Sequence, residues 1–135
     1  MMVGREVLFH IENPEVISGK PVLNVENLSV LNDKGLKAVQ GVSFSVHEGE
    51  ILGIAGVSGN GQRELIEAIN GLRPVEEGSV FFEGNDITNA PPDKIIGCGV
   101  GYIPEDRLNV GLATGLPITE NALLKSQDTE RFSRG

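Results

Sequence analysis

The stretch Ile51-Leu52-Gly53-Ile54-Ala55-Gly56-Val57-Ser58-Gly59-Asn60-Gly61-Gln62-Arg63-Glu64-Leu65-Ile66 decides how this chain is read. Its first five residues form a continuous apolar run, the pattern of a strand buried on both faces. Leu65, Ile66, Ile69 and Leu72 then recur at helical spacing, with Gly71 and Pro74 as stop signals. The glycine loop between them therefore sits in strand–loop–helix context. Against the phosphate-loop pattern GxxxxGK(S/T), Gly56 and Gly61 stand in place, while Gln62 takes the lysine position and Arg63 the Ser/Thr position.

Such a loop holds an anion through backbone N–H groups and the partial positive charge at the N-terminus of the next helix. Gly56, Gly59 and Gly61 let the backbone curl, and Val57, Ser58 and Asn60 complete the turn with no charge of their own. In a complete loop the lysine reaches the β and γ phosphates and the hydroxyl ligates Mg2+. Gln62 offers a neutral hydrogen bond of about 1 kcal/mol where a charged one contributes about 1.5–3 kcal/mol, a loss of roughly a decade in phosphate affinity. Arg63 cannot ligate a metal ion; its guanidinium either pairs with a phosphate oxygen or points from the first helical turn into solvent. No residue of the loop is assigned to a metal. Dinucleotide patterns fail by inspection, since GxGxxG would need glycine at Glu64 and GxxxGxG at Ala55, so a Rossmann-type binder is the weaker alternative.

Upstream of the loop, VLNVENLSV (22–30) and VQGVSFSV (39–46) alternate apolar and polar residues around the turn Asn32-Asp33-Lys34-Gly35, which predicts an antiparallel pair with one wet face. Downstream, Ser79–Phe82 and Gly84-Asn85 suggest a second hairpin. Pro91-Pro92 opens a short helix through Ile95 and Ile96, and Gly99–Ile103 reads as a second buried strand. Thr119 is the expected cap of a helix over 119–124. Val7–Ile11 alternates like a strand, and Ser18-Gly19-Lys20-Pro21 has linker composition, so residues 1–20 are read as a linker from a preceding domain and 21–135 as the domain proper.

Composition narrows the function classes. The 135 residues carry 39% hydrophobic residues with no Trp, enough for an aliphatic core but with no membrane-length apolar run. Eleven Lys and Arg against 19 Asp and Glu give a net charge of −8, which argues against nucleic acid as a partner. The single Cys98 excludes a disulfide framework and is expected to be buried. The start MMVGREVLFHIENP lacks a signal-peptide pattern, which points to the cytoplasm. His10 and His47 both precede the loop and are read as structural or surface residues.

The segments VENLSV (25–30), GVSFSVHEGEILGIAGVSGNGQRELIEAINGL (41–72), EEGSVFFEGNDI (76–87), GYIPEDRLNVGL (101–112) and ITENALL (118–124) together resemble the ATP-binding subunits of ABC transporters. The likeness is closest to the second nucleotide-binding half of the fused subunits that serve simple-sugar and nucleoside importers, with PEDR after a buried strand as its most specific element. The resemblance implies a P-loop NTPase core of ABC ATPase type, α/β with an antiparallel β subdomain, of which this chain is an N-terminal portion. It implies ATP as cofactor, membrane subunits and the other nucleotide-binding half as partners, and a peripheral place on the cytoplasmic face of the membrane. Residues 56–63 match the family's phosphate loop. Glu105 falls where most members carry the glutamine of the Q-loop.

Two departures matter. The family's adenine-stacking aromatic has no counterpart between Leu28 and Lys37, and no LSGG-type signature, Asp-Glu strand end or switch histidine follows the loop. No residue of the chain is therefore assigned a catalytic role, and the chain alone is expected to be inactive. The expected whole-protein role is an importer subunit that binds ATP more than it turns it over. The alternative is a structural or regulatory module whose loop no longer binds nucleotide. Strand 51–55 is expected to lack its partners, which favours self-association.

Overall fold

A computed structural model of the protein describes residues 19–124. Strands β1 (Pro21–Leu31) and β2 (Lys37–His47) pair antiparallel, joined by a turn that Asn32 organises. The Asn32 Oδ1 accepts the N–H groups of Lys34 and Leu36 at 2.9 and 3.0 Å, and its own N–H donates to the Leu36 carbonyl at 2.8 Å. Strand β3 (Glu77–Phe82) pairs antiparallel with the other edge of β1, and β4 (Asn85–Asp86) closes a hairpin on β3. The sheet order is β2-β1-β3-β4, so β1 lies at its centre.

In β1 the inward residues run Leu23, Val25, then Leu28 and Val30, a change of phase by one residue. The register shifts between Val25 and Leu28, where Glu26 and Asn27 stand as two successive polar residues. Asn27 adopts φ +49, and its N–H donates to Ser43 Oγ at 2.8 Å. An inserted residue of this kind bends a strand and returns its apolar side chains to the core face. Helix α1 (Gln62–Ile69) covers that face with Leu65, Ala68 and Ile69, which join Val25, Leu28, Val30, Val39 and Val80 in one buried cluster. Full burial of each large aliphatic side chain contributes about 1.5–3 kcal/mol.

After α1 the chain turns at Gly71, whose φ of +70 and close approach to the Ala90 carbonyl leave no room for a side chain. Helix α2 (Pro92–Gly97) begins on proline, whose fixed φ suits a first helical position, and buries Ile95. Helix α3 spans Ile118–Leu123. No helix among the described residues is long and apolar enough to cross a membrane.

Four expectations are corrected. Residues 51–55 form no strand, and Ile51 is 97% exposed. Residues 99–103 form none either, and Ile103 is 84% exposed. Both runs have strand composition, but a strand needs a neighbour for its N–H and C=O groups, and the one sheet among the described residues is β2-β1-β3-β4. Cys98 is exposed rather than buried, because Ile95 takes the inward position of α2 and Cys98 falls at its C-terminal cap. Thr119 does not cap α3: the helix opens one residue earlier behind Pro117, whose carbonyl accepts the N–H groups of Glu120 and Asn121. The proposed strand at Val7–Ile11, His10 and nearly all of the linker lie outside the described residues.

Gly78 sits at φ +91 with a Cβ position only 2.3 Å from the Glu26 carbonyl oxygen, whereas Gly84 sits at φ +79 in open space. The left-handed conformation alone costs a side chain about 1–2 kcal/mol. Gly84→Ala is expected to show that cost only, and Gly78→Ala a larger loss because β3 must also move off the bulge. Thermal denaturation of both variants checks this; equal melting temperatures would contradict it.

Candidate functional site

The loop between residues 56 and 61 gains its shape from three glycines in different circumstances. Gly61, at φ +93 and ψ 0, is the N-terminal cap residue of α1. A Cβ there would stand 2.3 Å from the Ala38 carbonyl oxygen of β2, so the loop's end rests directly on the sheet backbone. Gly59, at φ +90, has nothing within 4 Å of its would-be Cβ and faces an open cleft. Gly56 is crossed by Gln62: a Cβ would meet the Gln62 amide nitrogen. The residue in the lysine position thus folds back over the start of the loop.

The cleft has a volume of about 590 Å³. Gly56, Ser58, Gly59 and Gly61 line one side, and Gln62, Arg63 and Glu64 line the helix start. Glu105 closes it from the opposite segment. The structure therefore brings Glu105 and the glycine loop, some forty residues apart in sequence, to one cavity. Val57 and Asn60 make its outer turn, with the Asn60 N–H donating to the Val57 carbonyl at 3.1 Å. No side chain caps α1 at Gly61. An uncapped helix start beside a glycine cradle fits an anionic oxygen cluster.

Arg63 resolves into neither of the two geometries that its position suggested. Its Nε donates to Glu67 Oε1 at 2.7 Å, one helical turn on, yet the side chain remains 60% exposed and still lines the cleft. Glu67 is only 14% exposed and also receives Arg73, whose Nε donates to Oε2 at 2.8 Å. Arg73 Nη2 lies 2.7 Å from Asp33 Oδ1 in the β1–β2 turn. Burial pushes the Glu67 carboxyl up, but the hydrogen bonds from Arg63 and Arg73 outweigh it and hold the pKa below the ordinary 4.5. Those of both arginines are raised, chiefly by the hydrogen bonds that Arg63 donates to Glu67 and Arg73 donates to Asp33. Sequence reading missed Glu67 and Arg73. An i, i+4 Arg–Glu spacing on α1 was its one visible trace.

Elsewhere, His47 Nδ1 lies 3.0 Å from Glu50 Oε2 at the end of β2, which fits its reading as a surface residue. Asp106 is bound up with Asn109 through two hydrogen bonds, so the segment after Pro104 turns on its own side chains. Among the described residues no group of three or more His, Cys, Asp or Glu is arranged to hold a metal ion.

The family model described as ABC transporter matches residues 39–134. The chain is 47% identical over its whole length to the glucose import ATP-binding protein TsgD13 of Haloferax volcanii, of which it covers 24%. It is 45% identical over 98% of its length to the guanosine import ATP-binding protein NupO of Bacillus subtilis, covering 26% of that protein. The chain thus spans about a quarter of the length of the curated relatives it matches. Among solved structures, a nucleotide-free ATP-binding cassette from an ABC transporter matches at 38% identity and TM-score 0.56, over 59% of this chain and 31% of that one. The ADP conformation of MJ1267, an ATP-binding cassette of an ABC transporter, matches equally well, at 38% identity and TM-score 0.56 over 59% of this chain and 31% of that one. These likenesses bear out the expected ABC ATPase fold with its antiparallel sheet.

Glu67 is the acid-sensitive member of the site. Its depressed pKa means that its contribution to stability is complete above the unfolded value of about 4.5 and is lost as pH falls through the folded value. The melting temperature of the parent should exceed that of Glu67→Gln by a constant margin above that pH and converge on it below. A margin that does not change in a thermal melt series from about pH 3 to about pH 6 would contradict the assignment.

Proposed function

This chain belongs to the ABC transporter family, and we propose that it forms part of the ATP-binding subunit of an importer for simple sugars or nucleosides. The observation that carries the reading is the shared cleft: the glycine cradle, the uncapped start of α1 and Glu105 all face one cavity of about 590 Å³. Its relatives are import ATP-binding proteins for glucose, guanosine and ribose. ATP is the ligand the cradle fits, with Gly56 to Gly61 holding its phosphates and Glu105 placed beside the terminal one. In this reading residues 1–20 lead in from a preceding half, and 21–135 begin the second nucleotide-binding half.

The side chains that line the cleft explain why binding should exceed turnover. A complete loop would place a lysine ammonium on the β and γ phosphates and a hydroxyl on Mg2+. Here Gln62 lies over Gly56, Arg63 is shared with Glu67, and Glu64 and Glu105 add negative charge. Mg2+ has no side-chain hydroxyl to receive it at position 63. The membrane subunits and the other nucleotide-binding half are the proposed partners, and the place of action is the cytoplasmic face of the membrane. The exposed run 51–55 and the exposed Ile103 would be covered in the whole protein. Alone, they favour self-association of the chain.

Isothermal calorimetry on the full-length protein, with the other nucleotide site disabled, is expected to show ATP and ADP binding. Gly59→Val, which fills the cradle from a position with open space around it, should weaken that binding by more than about tenfold. Hydrolysis in the same protein should stay at background. Nucleotide binding that is absent, or that ignores Gly59→Val, would favour a structural or regulatory module instead. Sustained hydrolysis would overturn the binding-over-turnover reading.

A further inference from the structure

Glycine at 56 meets a different need from glycine at 59 or 61. Gly59 and Gly61 sit at φ +90 and +93, in the left-handed region, whereas Gly56 is not among the residues with positive φ. Its missing side chain makes room instead for Gln62, whose amide nitrogen and Cδ fill the space that a Cβ would take. Gln62 lies across the start of the loop with no hydrogen-bond partner among the described residues. The lysine position therefore places one neutral amide, free to donate, on the cleft.

The charges around that amide are mostly negative. Arg63 gives its Nε to Glu67, one turn further along α1, so its guanidinium is tied to a carboxylate and drawn away from the helix start. Glu64 stands in the first turn of α1, where its carboxylate competes with any bound anion for the positive end of the helix. Glu105 lines the cleft from the opposite segment, and it shares a second cavity, of about 280 Å³, with Gln62. The Glu105 carboxylate has no hydrogen bond or ion pair among the described residues, so no side chain there neutralises it.

A phosphate chain in such a cleft is held by backbone N–H groups and the helix start, which act on whichever phosphates reach them. A lysine would favour a third phosphate, because it reaches the β and γ groups together. Without it the third phosphate gains at most one neutral hydrogen bond, and it brings further negative charge beside Glu105. Resting on the nucleotide-binding reading above, we propose that this cleft prefers the nucleoside diphosphate to the triphosphate, with Gln62 and Glu105 as the residues that set the preference. Gln62 does not reward the γ-phosphate with a charge, and Glu105 repels it. Occupancy of the site then does not depend on a γ-phosphate.

The test is calorimetry with ADP and ATP on the full-length protein with the other site disabled, in EDTA so that no divalent cation masks the phosphate charges. The parent should bind ADP about threefold to tenfold more tightly than ATP, and the ratio should shrink as salt rises from about 0.05 to 0.5 M. Glu105→Gln should tighten ATP by about threefold to tenfold and leave ADP within about twofold. Gln62→Lys should tighten ATP more than ADP and bring the ratio to one or beyond. Gln62 is half-buried and Glu105 exposed, and the Glu105→Gln arm decides the matter should Gln62→Lys not fold. ATP bound by the parent as tightly as ADP or more so, in binding that Gly59→Val abolishes, would overturn this inference and leave the nucleotide-binding reading standing. Equal changes for both nucleotides in Glu105→Gln would overturn the assignment of Glu105. No binding of either nucleotide by the parent would remove both readings together.

Discussion

The approach of Gly61 to the Ala38 carbonyl is the constraint on which the rest of this structure depends. It joins the end of the glycine loop to the start of the edge strand β2 at a distance that only a glycine in left-handed conformation allows. From that point α1 must start, and its direction carries Leu65, Ala68 and Ile69 onto the sheet and leaves Arg63 and Glu64 on the cleft. A side chain at 61 would lift the helix, and the core and the cleft would be lost together. The packing of α1 and the shape of the cleft thus share one backbone contact.

Around that contact the described residues divide into a satisfied half and an open half. The antiparallel sheet pairs its own strands, closes its turns with Asn32 and Asn27, and buries a continuous aliphatic cluster. The runs at 51–55 and 99–103 have the composition of parallel core strands but form none among the described residues: 51–55 is exposed, and in 99–103 Val100 packs against the core cluster while Ile103 is exposed. Antiparallel neighbours such as β1 and β2 can be joined by a short turn. Parallel partners need a crossover and a neighbour that arrives from elsewhere.

The electrostatics of the loop follow from where two side chains go. Gln62 turns back on Gly56, so the lysine position supplies no charge to the cleft. Arg63 is held by a carboxylate whose other oxygen is held by Arg73. The net field at the helix start is therefore modest, with the helix N-terminus and one shared cation set against Glu64 and Glu105. Such a site suits retention of an anionic ligand more than stabilisation of a charge that grows during reaction.

Much of this was legible in the residues. The alternation in 22–30 and 39–46 marked the hairpin, and the glycines at 56, 59 and 61 with the apolar helix after them marked the loop. Each of these signals is local, because dihedral preference and side-chain period act within a few residues of the chain. Only the tertiary structure decided that Glu105 shares the loop's cleft, that Arg73 reaches forty residues back to Asp33, that Gln62 lies across Gly56, and that Cys98 faces outward. Those outcomes depend on which atoms meet across long separations, and packing rather than local preference settles them.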